Sequence, residues 1–540
     1  MMRRKPESAV KEEVEEEEAA GTGLKKVLSF PAVILFGFSS VVGSGIFRSS
    51  GEEAFKYSGP SIWLSYVLGT TACILTGVCY IDFSMRLPSA GGAYTFVYTS
   101  LGEGMAFIAG ISLTLEYGLS AAASARGASG YIKHFIASAR SVISGTVSSA
   151  DPGLSTGFIS LDYIAPVLCV LLTCLCLLGM RAGTKVSSFV SSLNIFLIFL
   201  IIAAAGSQFD SRNFQGPMFA QGDFRSAIRA TANIIFTLIG WDSVCCLSEE
   251  VENPKKVIPK ATAIVLGLVG TLYCIMSVVL IGLVAHDKID INAPFAAAFA
   301  NAQNPNIKWM SWIASIGVIL CSCNSVYACI VGQPRIWYGM ARDGLLPQHF
   351  RSVRGKENTP VFAILVTGAL TIIFSALVEF AYLQGLISAG VLLLQAFVCI
   401  GSLFHRLSSS VETQSKPSKM FTKFAVVFLC LASLGMGLSL LGPEKVENGK
   451  PIVPPASWEV FIACSAVAFI SAVVVVVSAS TSRMRLFIPL LAIWANMFFM
   501  GSLEYTALAF FALLCVACSP LYFFYGISHS ALGTVKTPSV

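Results

Sequence analysis

Charge is scarce in this chain: only 12% of its 540 residues are Asp, Glu, Lys or Arg, while 55% are apolar. No water-soluble domain buries that much apolar surface, so a soluble enzyme or carrier is excluded. Histidine is rarer still. His134, His286, His349, His405 and His529 are scattered along loops and segment ends. No His-Glu-x-x-His or Gly-x-Ser-x-Gly run exists, which removes the zinc-protease and serine-hydrolase signatures. A phosphate-cradling glycine loop is also missing, and the net charge of +6 sits in short loops rather than in a nucleic-acid-binding patch. Asn-x-Ser/Thr sequons are absent, so glycosylation says nothing about compartment. The first 23 residues hold no apolar core, and no cleavable signal peptide is expected.

Cysteine is present, but not where it could build a framework. All sixteen fall in apolar segments, among them Cys73, Cys79, Cys169, Cys245, Cys246, Cys321, Cys323 and Cys518. None lies in an outside loop, so disulfides are not expected. The pairs Cys321/Cys323 and Cys245/Cys246 lack further ligands at zinc spacing, and they read as packing residues. Neither a metal nor a cofactor is expected.

Long apolar runs fill the rest. Segments of about twenty residues, enough to cross a bilayer, recur about fourteen times. Their expected limits are 30–57, 60–86, 95–132, 161–179, 185–206, 226–248, 261–285, 309–334, 361–380, 383–405, 420–442, 458–480, 484–501 and 504–526. The third is too long for one upright helix and calls for tilt or a terminal extension. The fold class is therefore all-α and polytopic, with the lipid bilayer as its solvent.

Two of these segments are broken in the middle. The first is interrupted at Val42-Gly43-Ser44-Gly45-Ile46, and the sixth at Thr237-Leu238-Ile239-Gly240-Trp241-Asp242. An unpaired amide or carbonyl in hydrocarbon costs several kcal/mol, so a helix breaks only where protein or ligand takes up those groups. Breaks at corresponding positions of two halves are the sequence mark of a transporter's binding site. The simplest division gives a tail over 1–28, five spans over 29–206, five related spans over 207–407, four appended spans over 408–527, and a tail over 528–540.

Basic residues orient the chain. With residue 1 in the cytoplasm, 24 of the 36 Lys and Arg lie inside and 11 outside, with Arg126 within a span. The bias favours cytoplasmic termini. The run Lys11-Glu12-Glu13-Val14-Glu15-Glu16-Glu17-Glu18 reads as a disordered, solvated tail. Charge inside the spans is expensive and therefore informative. Glu116 lies near the middle of span three and is a candidate for cation preference or a proton-linked role. Asp242 follows the second break, whereas Arg126 and Asp82 read as structural charges.

Four stretches resemble the cationic amino acid transporters of the amino acid–polyamine–organocation superfamily. They are Val42-Gly43-Ser44-Gly45-Ile46; Pro88-Ser89-Ala90-Gly91-Gly92-Ala93-Tyr94 leading into Leu101-Gly102-Glu103-Gly104; Ile239-Gly240-Trp241-Asp242 followed by Ser248-Glu249-Glu250-Val251-Glu252-Asn253-Pro254 and Ile258-Pro259; and Gln333-Pro334-Arg335 with Met340-Ala341-Arg342-Asp343-Gly344-Leu345-Leu346-Pro347. The likeness covers roughly residues 30–405, and a layout of fourteen spans is similar to that subfamily. It implies the leucine-transporter fold, with inverted repeats of five spans each, and an amino acid as partner.

By that resemblance the α-carboxylate of the substrate meets the amides of Ser44, Gly45 and Ile46. The physics agrees, because freed N–H groups at a helix start attract an anion. The α-ammonium meets carbonyls at Val41, Val42, Phe236, Thr237 and Ile239. Phe236 is the implied lid, Ile239 and Trp241 are walls, and Glu116, Asn324 and Ser325 are candidates for reading the side chain. One position departs from the family. Proton-coupled bacterial relatives carry a lysine in span five in place of a sodium ion, and the matching residue here is Asn194, which cannot titrate. Coupling through Glu116, with protons as a candidate co-substrate, and potential-driven movement of a cation both remain open. Polyamines and neutral amino acids are the rival substrates, and a non-transporting amino acid receptor is the rival class. Oligomeric state is open, as is the choice between plasma membrane and a vacuole- or lysosome-like endomembrane.

Overall fold

Apolar runs in hydrocarbon have no solvent to bond their amides and carbonyls, so they coil into helices that satisfy themselves. The computed structural model is built that way. It describes residues 3–10, 12, 29–87, 92–144, 155–156, 159–178, 180–215, 217–221, 223–249, 251, 253–302, 304–353, 360–408, 416–441, 445–447, 450–452, 457–478 and 483–531. Among these the strands are two short hairpins, Ser155–Thr156 with Ile159–Ser160 and Lys445–Glu447 with Lys450–Ile452. Nine described stretches are long and apolar enough to cross a membrane, with four shorter apolar helices beside them. The chain is a multi-pass membrane protein.

Each expected span has its helix, and several limits move for physical reasons. Span one is Phe30–Val41 and Gly45–Glu53, prolonged by a π-turn over Ala54–Ser58; span two is Ile62–Arg86. Span three starts later than expected. Gly92–Ser100 is a separate short helix, and Gly102 at φ 104° turns the chain before Glu103. That backbone suits glycine, so part of the surplus length belongs to another helix rather than to tilt. From Glu103 the span runs to Ser144, with a π-turn over Leu115–Leu119. Spans four, five and six are Ile164–Leu178, Met180–Gly206 and Phe224–Ile234, the last continued by shorter turns to Glu249. Span seven, Pro254–Leu283, opens on a proline whose missing N–H needs no partner there. Span eight, Met310–Arg342, passes through Pro334 instead of ending at it. A proline removes one helical bond, and packed neighbours hold the helix together across the gap. Spans nine to thirteen are Val361–Leu377, Phe380–Ser408, Lys416–Leu441, Trp458–Ser478 and Arg483–Gly501. Span fourteen is Tyr505–Pro520, with a further π-turn and short helix to His529.

Small side chains set the closest approach. Ala121, Ala122, Ala123, Ala125 and Ala128 of span three are fully buried, and this span packs along span eight. Without a hydrophobic force between helices in lipid, such flat faces gain their stability from van der Waals contact. Large apolar groups point the other way: Phe189, Phe196, Phe199, Phe469 and Phe524 are exposed, as a lipid-facing surface requires. Spans eleven to thirteen bundle together, and spans thirteen and fourteen lie against span ten.

Charges that are buried or half-buried tie the spans at their ends. Asp82 receives Arg86 at 3.0 Å and Arg406 at 3.1 Å, with Ser402 at 3.2 Å, joining spans two and ten. Arg126 donates to the Ser375 carbonyl at 2.6 Å, to the Ser160 hydroxyl at 3.3 Å and to the Ser160 carbonyl. It thus joins span three to the end of span nine and the approach to span four. Residues 3–10, which the sequence places in a solvated tail, pack against the same side as Arg342. There Lys5 forms a buried pair with Asp343 at 2.9 Å, and the Glu103 amide donates to the Arg3 carbonyl at 2.9 Å. Most of the acidic run from Lys11 to Glu18 lies outside the described residues, as do Pro88–Gly91, Glu250 and Glu252.

Arg126 supplies a planar fork that a lysine lacks. Replacing it with Ala or Lys should lower stability by about 2 kcal/mol, the worth of charged hydrogen bonds to buried carbonyls. A fall in the melting midpoint of detergent-solubilised protein for both variants is the expected reading. An unchanged midpoint in the Ala variant would show that the fork holds nothing.

Candidate functional site

The first helix of span one ends at Val41, because Val42 leaves the helical region at ψ 103° and the next turn does not form until Gly45. The amides of Ser44, Gly45 and Ile46 head the second half-helix, where helix geometry gives them no acceptor one turn back. Ser44 supplies no side-chain cap there. On the other side, the carbonyl of Val41 accepts the Tyr273 hydroxyl at 3.2 Å. Span six breaks by a different route. A tight 3-10 turn over Ile235–Leu238 ends in an extended Ile239, and Gly240 follows at φ 99°. A Cβ on Gly240 would lie 2.4 Å from the Ser40 carbonyl oxygen, so only glycine lets the two breaks meet. A Cβ on Gly45 would lie 3.0 Å from the Thr237 methyl, and one on Gly43 would lie 3.2 Å from the Ser325 hydroxyl.

Between the breaks lies a cavity of about 70 Å³. Of the residues expected at a site, Val41, Ser44, Gly45, Glu116, Phe236, Thr237, Ile239 and Ser325 line it, together with Gly43 and Gly240. Four others do not. Val42 is buried, with the Cys321 sulfur 3.8 Å from its carbonyl. Ile46 is fully buried in the apolar core. Trp241 packs edge-on against Tyr80 at 5.0 Å and faces away. Asn324 turns towards span five, where its amide donates to Ser191 at 3.2 Å. Asn194 lies one turn beyond Ser191, buried, with its carbonyl oxygen unpaired and off the cavity wall.

Residues that sequence reasoning passed over complete the lining: Ser40, Tyr117, Ser120, Ser124 and Cys329. Ser124 and Ser325 share a hydrogen bond of 3.1 Å across spans three and eight. The Ser120 hydroxyl is buried on the wall without a partner, and so offers a free donor. Span three delivers Glu116 from inside the π-turn of Leu115–Leu119. Such a turn widens the helix by one residue and commonly marks a site. The signal available in sequence was Ser112, Glu116, Ser120 and Ser124, polar residues four apart in a buried span. Phe236 leans on Phe380 at 5.9 Å and roofs the cavity. Chemically the cavity offers free amides at one end, carbonyls at the other, and a carboxyl to one side. That arrangement fits a small zwitterion carrying a further polar or cationic group.

Two variants test this geometry. Gly45→Leu should abolish uptake while leaving the protein in the membrane, because the side chain drives spans one and six apart at Thr237. Normal uptake would remove the site from span one. Asn194→Lys places a titratable amine in the core on span five, which packs against span eight, and buried lysines shift their protonation readily. A new pH dependence of transport, or an immobile carrier, is the expected result. Transport unchanged at every pH would show that residue 194 does not touch the moving core.

Residues 28–462 match a family model described as amino acid permease, and residues 487–530 match one described as the C-terminus of AA_permease. The chain is 31% identical over 401 residues to cationic amino acid transporter 3, mitochondrial, of Arabidopsis thaliana. That match takes in 74% of this chain and 65% of the relative, so it spans just under two thirds of the relative's length. Cationic amino acid transporter 7, chloroplastic, of the same plant is 28% identical over 531 residues, or 95% of this chain and 87% of the relative. The branched-chain amino acid permease BcaP of Bacillus subtilis is 31% identical over 379 residues, or 70% of this chain and 80% of the relative. The chain belongs to the amino acid permease family.

Proposed function

We propose that this protein carries amino acids across a membrane by alternating access, and that its preferred substrates are cationic amino acids. The observation that carries the reading is the cavity where two broken spans meet with the Glu116 carboxyl on its wall. The amides of Ser44 and Gly45 hold the substrate carboxylate at a helix start, where the dipole favours an anion. Carbonyls of Val41, Thr237 and Ile239 receive the α-ammonium. Glu116 faces the distal cation, with Ser120, Ser124 and Ser325 offering hydroxyls along the way. Phe236 covers the bound molecule, and closure over a dry cavity strengthens each of these contacts.

The names of the relatives support the class. Two Arabidopsis relatives are cationic amino acid transporters, whereas BcaP is named for branched-chain substrates. A neutral substrate is therefore the second reading, favoured by the apolar walls at Val41, Phe236 and Ile239. Driving force follows from the substrate. An inside-negative potential contributes about 2.3 kcal/mol per charge per 100 mV, which can drive a cation without a coupling ion. Asn194 supports that route, since an amide at that position cannot titrate. Five spans and five related spans form the moving core in this proposal, with spans eleven to fourteen appended and both termini in the cytoplasm.

Uptake of labelled arginine, lysine, leucine, alanine and a polyamine, at two pH values and two membrane potentials, tests the proposal. Arginine and lysine should lead, with rates that rise with inside-negative potential. Uptake of leucine alone would move the assignment to the neutral class, and no uptake of any would sink transport. Glu116→Gln keeps shape and removes charge. It should weaken arginine and lysine about ten-fold, the equivalent of one charged hydrogen bond, or flatten the pH profile. If neither changes, Glu116 is a structural carboxyl.

A further inference from the structure

Beyond the cavity, on the side of Glu53 rather than Phe30, lies a polar cluster that the substrate site does not use. The helix Gly45–Glu53 of span one is buried along its whole length although it carries Arg48, Glu52 and Glu53, and Lys56 stands half-buried in the π-turn beyond it. Lys56 pairs with Glu52 at 2.7 Å, and Arg48 stacks over the Phe380 ring at 4.1 Å while donating to the Arg126 carbonyl at 2.9 Å. Among the described residues Glu53 has no cation at hydrogen-bond distance. It accepts from amides instead: Gln384 at 2.6 Å on one oxygen, and Asn233 at 3.3 and 3.2 Å on both.

These partners come from separate helices. Asn233 belongs to span six, one turn before Phe236, and Gln384 to span ten, one turn after Phe380. The cluster therefore sits directly over the Phe236–Phe380 contact that roofs the cavity. Its donors are ordered in one direction. The Ser49 hydroxyl donates to the Gln384 oxygen at 2.9 Å, which leaves the Gln384 amide to face Glu53. Ser388 donates to the Asn233 carbonyl at 3.0 Å and fixes span six against span ten a second time. A carboxylate accepts at both oxygens and donates from neither, so one residue can collect all of these amides.

Resting on the transport reading above, we propose that Glu53 is the positioning residue of the gate on this side: its carboxylate clasps span one, span six and span ten over the occupied cavity. Opening to that side requires span ten, or the paired halves of spans one and six, to leave. Either movement strips Glu53 of its amides before Phe236 can swing away. The clasp is buried yet free of direct charge pairing, so it can be remade at each cycle without stranding a cation.

Cys329, on the cavity wall, is a native reporter of that opening. The test is its labelling by a membrane-impermeant thiol reagent applied from the Glu53 side, read as modification of the Cys329 peptide in the full-length protein in vesicles. Glu53→Ala should raise the labelling rate about ten-fold or more, because lost hydrogen bonds to a charged group shift a closed–open balance by at least that factor. Glu53→Gln keeps one acceptor for Gln384 and should give a smaller rise. Gln384→Leu, which leaves Asn233 in place, carries the test if the Ala variant does not reach the membrane. An unchanged labelling rate in a membrane-inserted variant that lacks the clasp overturns the proposal. The readout needs no substrate. Faster labelling without uptake of any amino acid would sink the transport reading and leave the clasp standing.

Discussion

Everything in this molecule depends on one constraint: a peptide group in hydrocarbon must find a partner within the protein. Unbroken helices meet it at no cost, which is why most of the chain is plain apolar helix. The two breaks meet it only through neighbours. Val41 gives its carbonyl to Tyr273, Gly240 fits against the Ser40 backbone, and the amides ahead of Ile46 wait on the cavity. A site made of freed backbone has a further property. Side-chain substitution cannot tune it, so it recognises what all amino acids share, and selectivity falls to side chains such as Glu116 and Ser120.

Buried charge divides into kinds. Asp82 and Arg126 are surrounded by full complements of partners, and they hold span ends together. Glu53 and Glu116 sit in the interior on elements that an alternating-access cycle would move. Burial costs all four groups solvation, and the difference lies in whether the compensating contacts can be exchanged. Arg126 reaches backbone carbonyls that stay with their helices, whereas Glu53 relies on amides from two other spans. The first arrangement fixes structure, and the second gives a structure two resting positions.

How far the sequence revealed this depended on period and length. Apolar runs of bilayer length announced the helices, glycines flanking stray polar residues announced both breaks, the lone carboxyl in span three announced Glu116, and the family resemblance supplied the other seven of the eight expected residues that line the cavity. Three features were hidden. The π-turn at Glu116 adds one residue to a helix, a change smaller than any hydropathy window resolves. Trp241 lies beside the break in sequence, yet the turn at Gly240 aims it at Tyr80, and no local pattern encodes that direction. Lys5 carries a charge in a charged tail, and its burial follows only from where Asp343 ends up in space.

Asp343 has a mechanical consequence. Its carboxylate takes Lys5 and the Tyr94 hydroxyl, while its backbone carbonyl takes the amide of Ala531. Segments from opposite ends of the chain are thus knotted to one turn at the foot of span eight, a span that also lines the cavity. A load hung on either end, whether a fused domain or a bound partner, pulls on the same residue. The two ends are one handle, and its far end is Ser325.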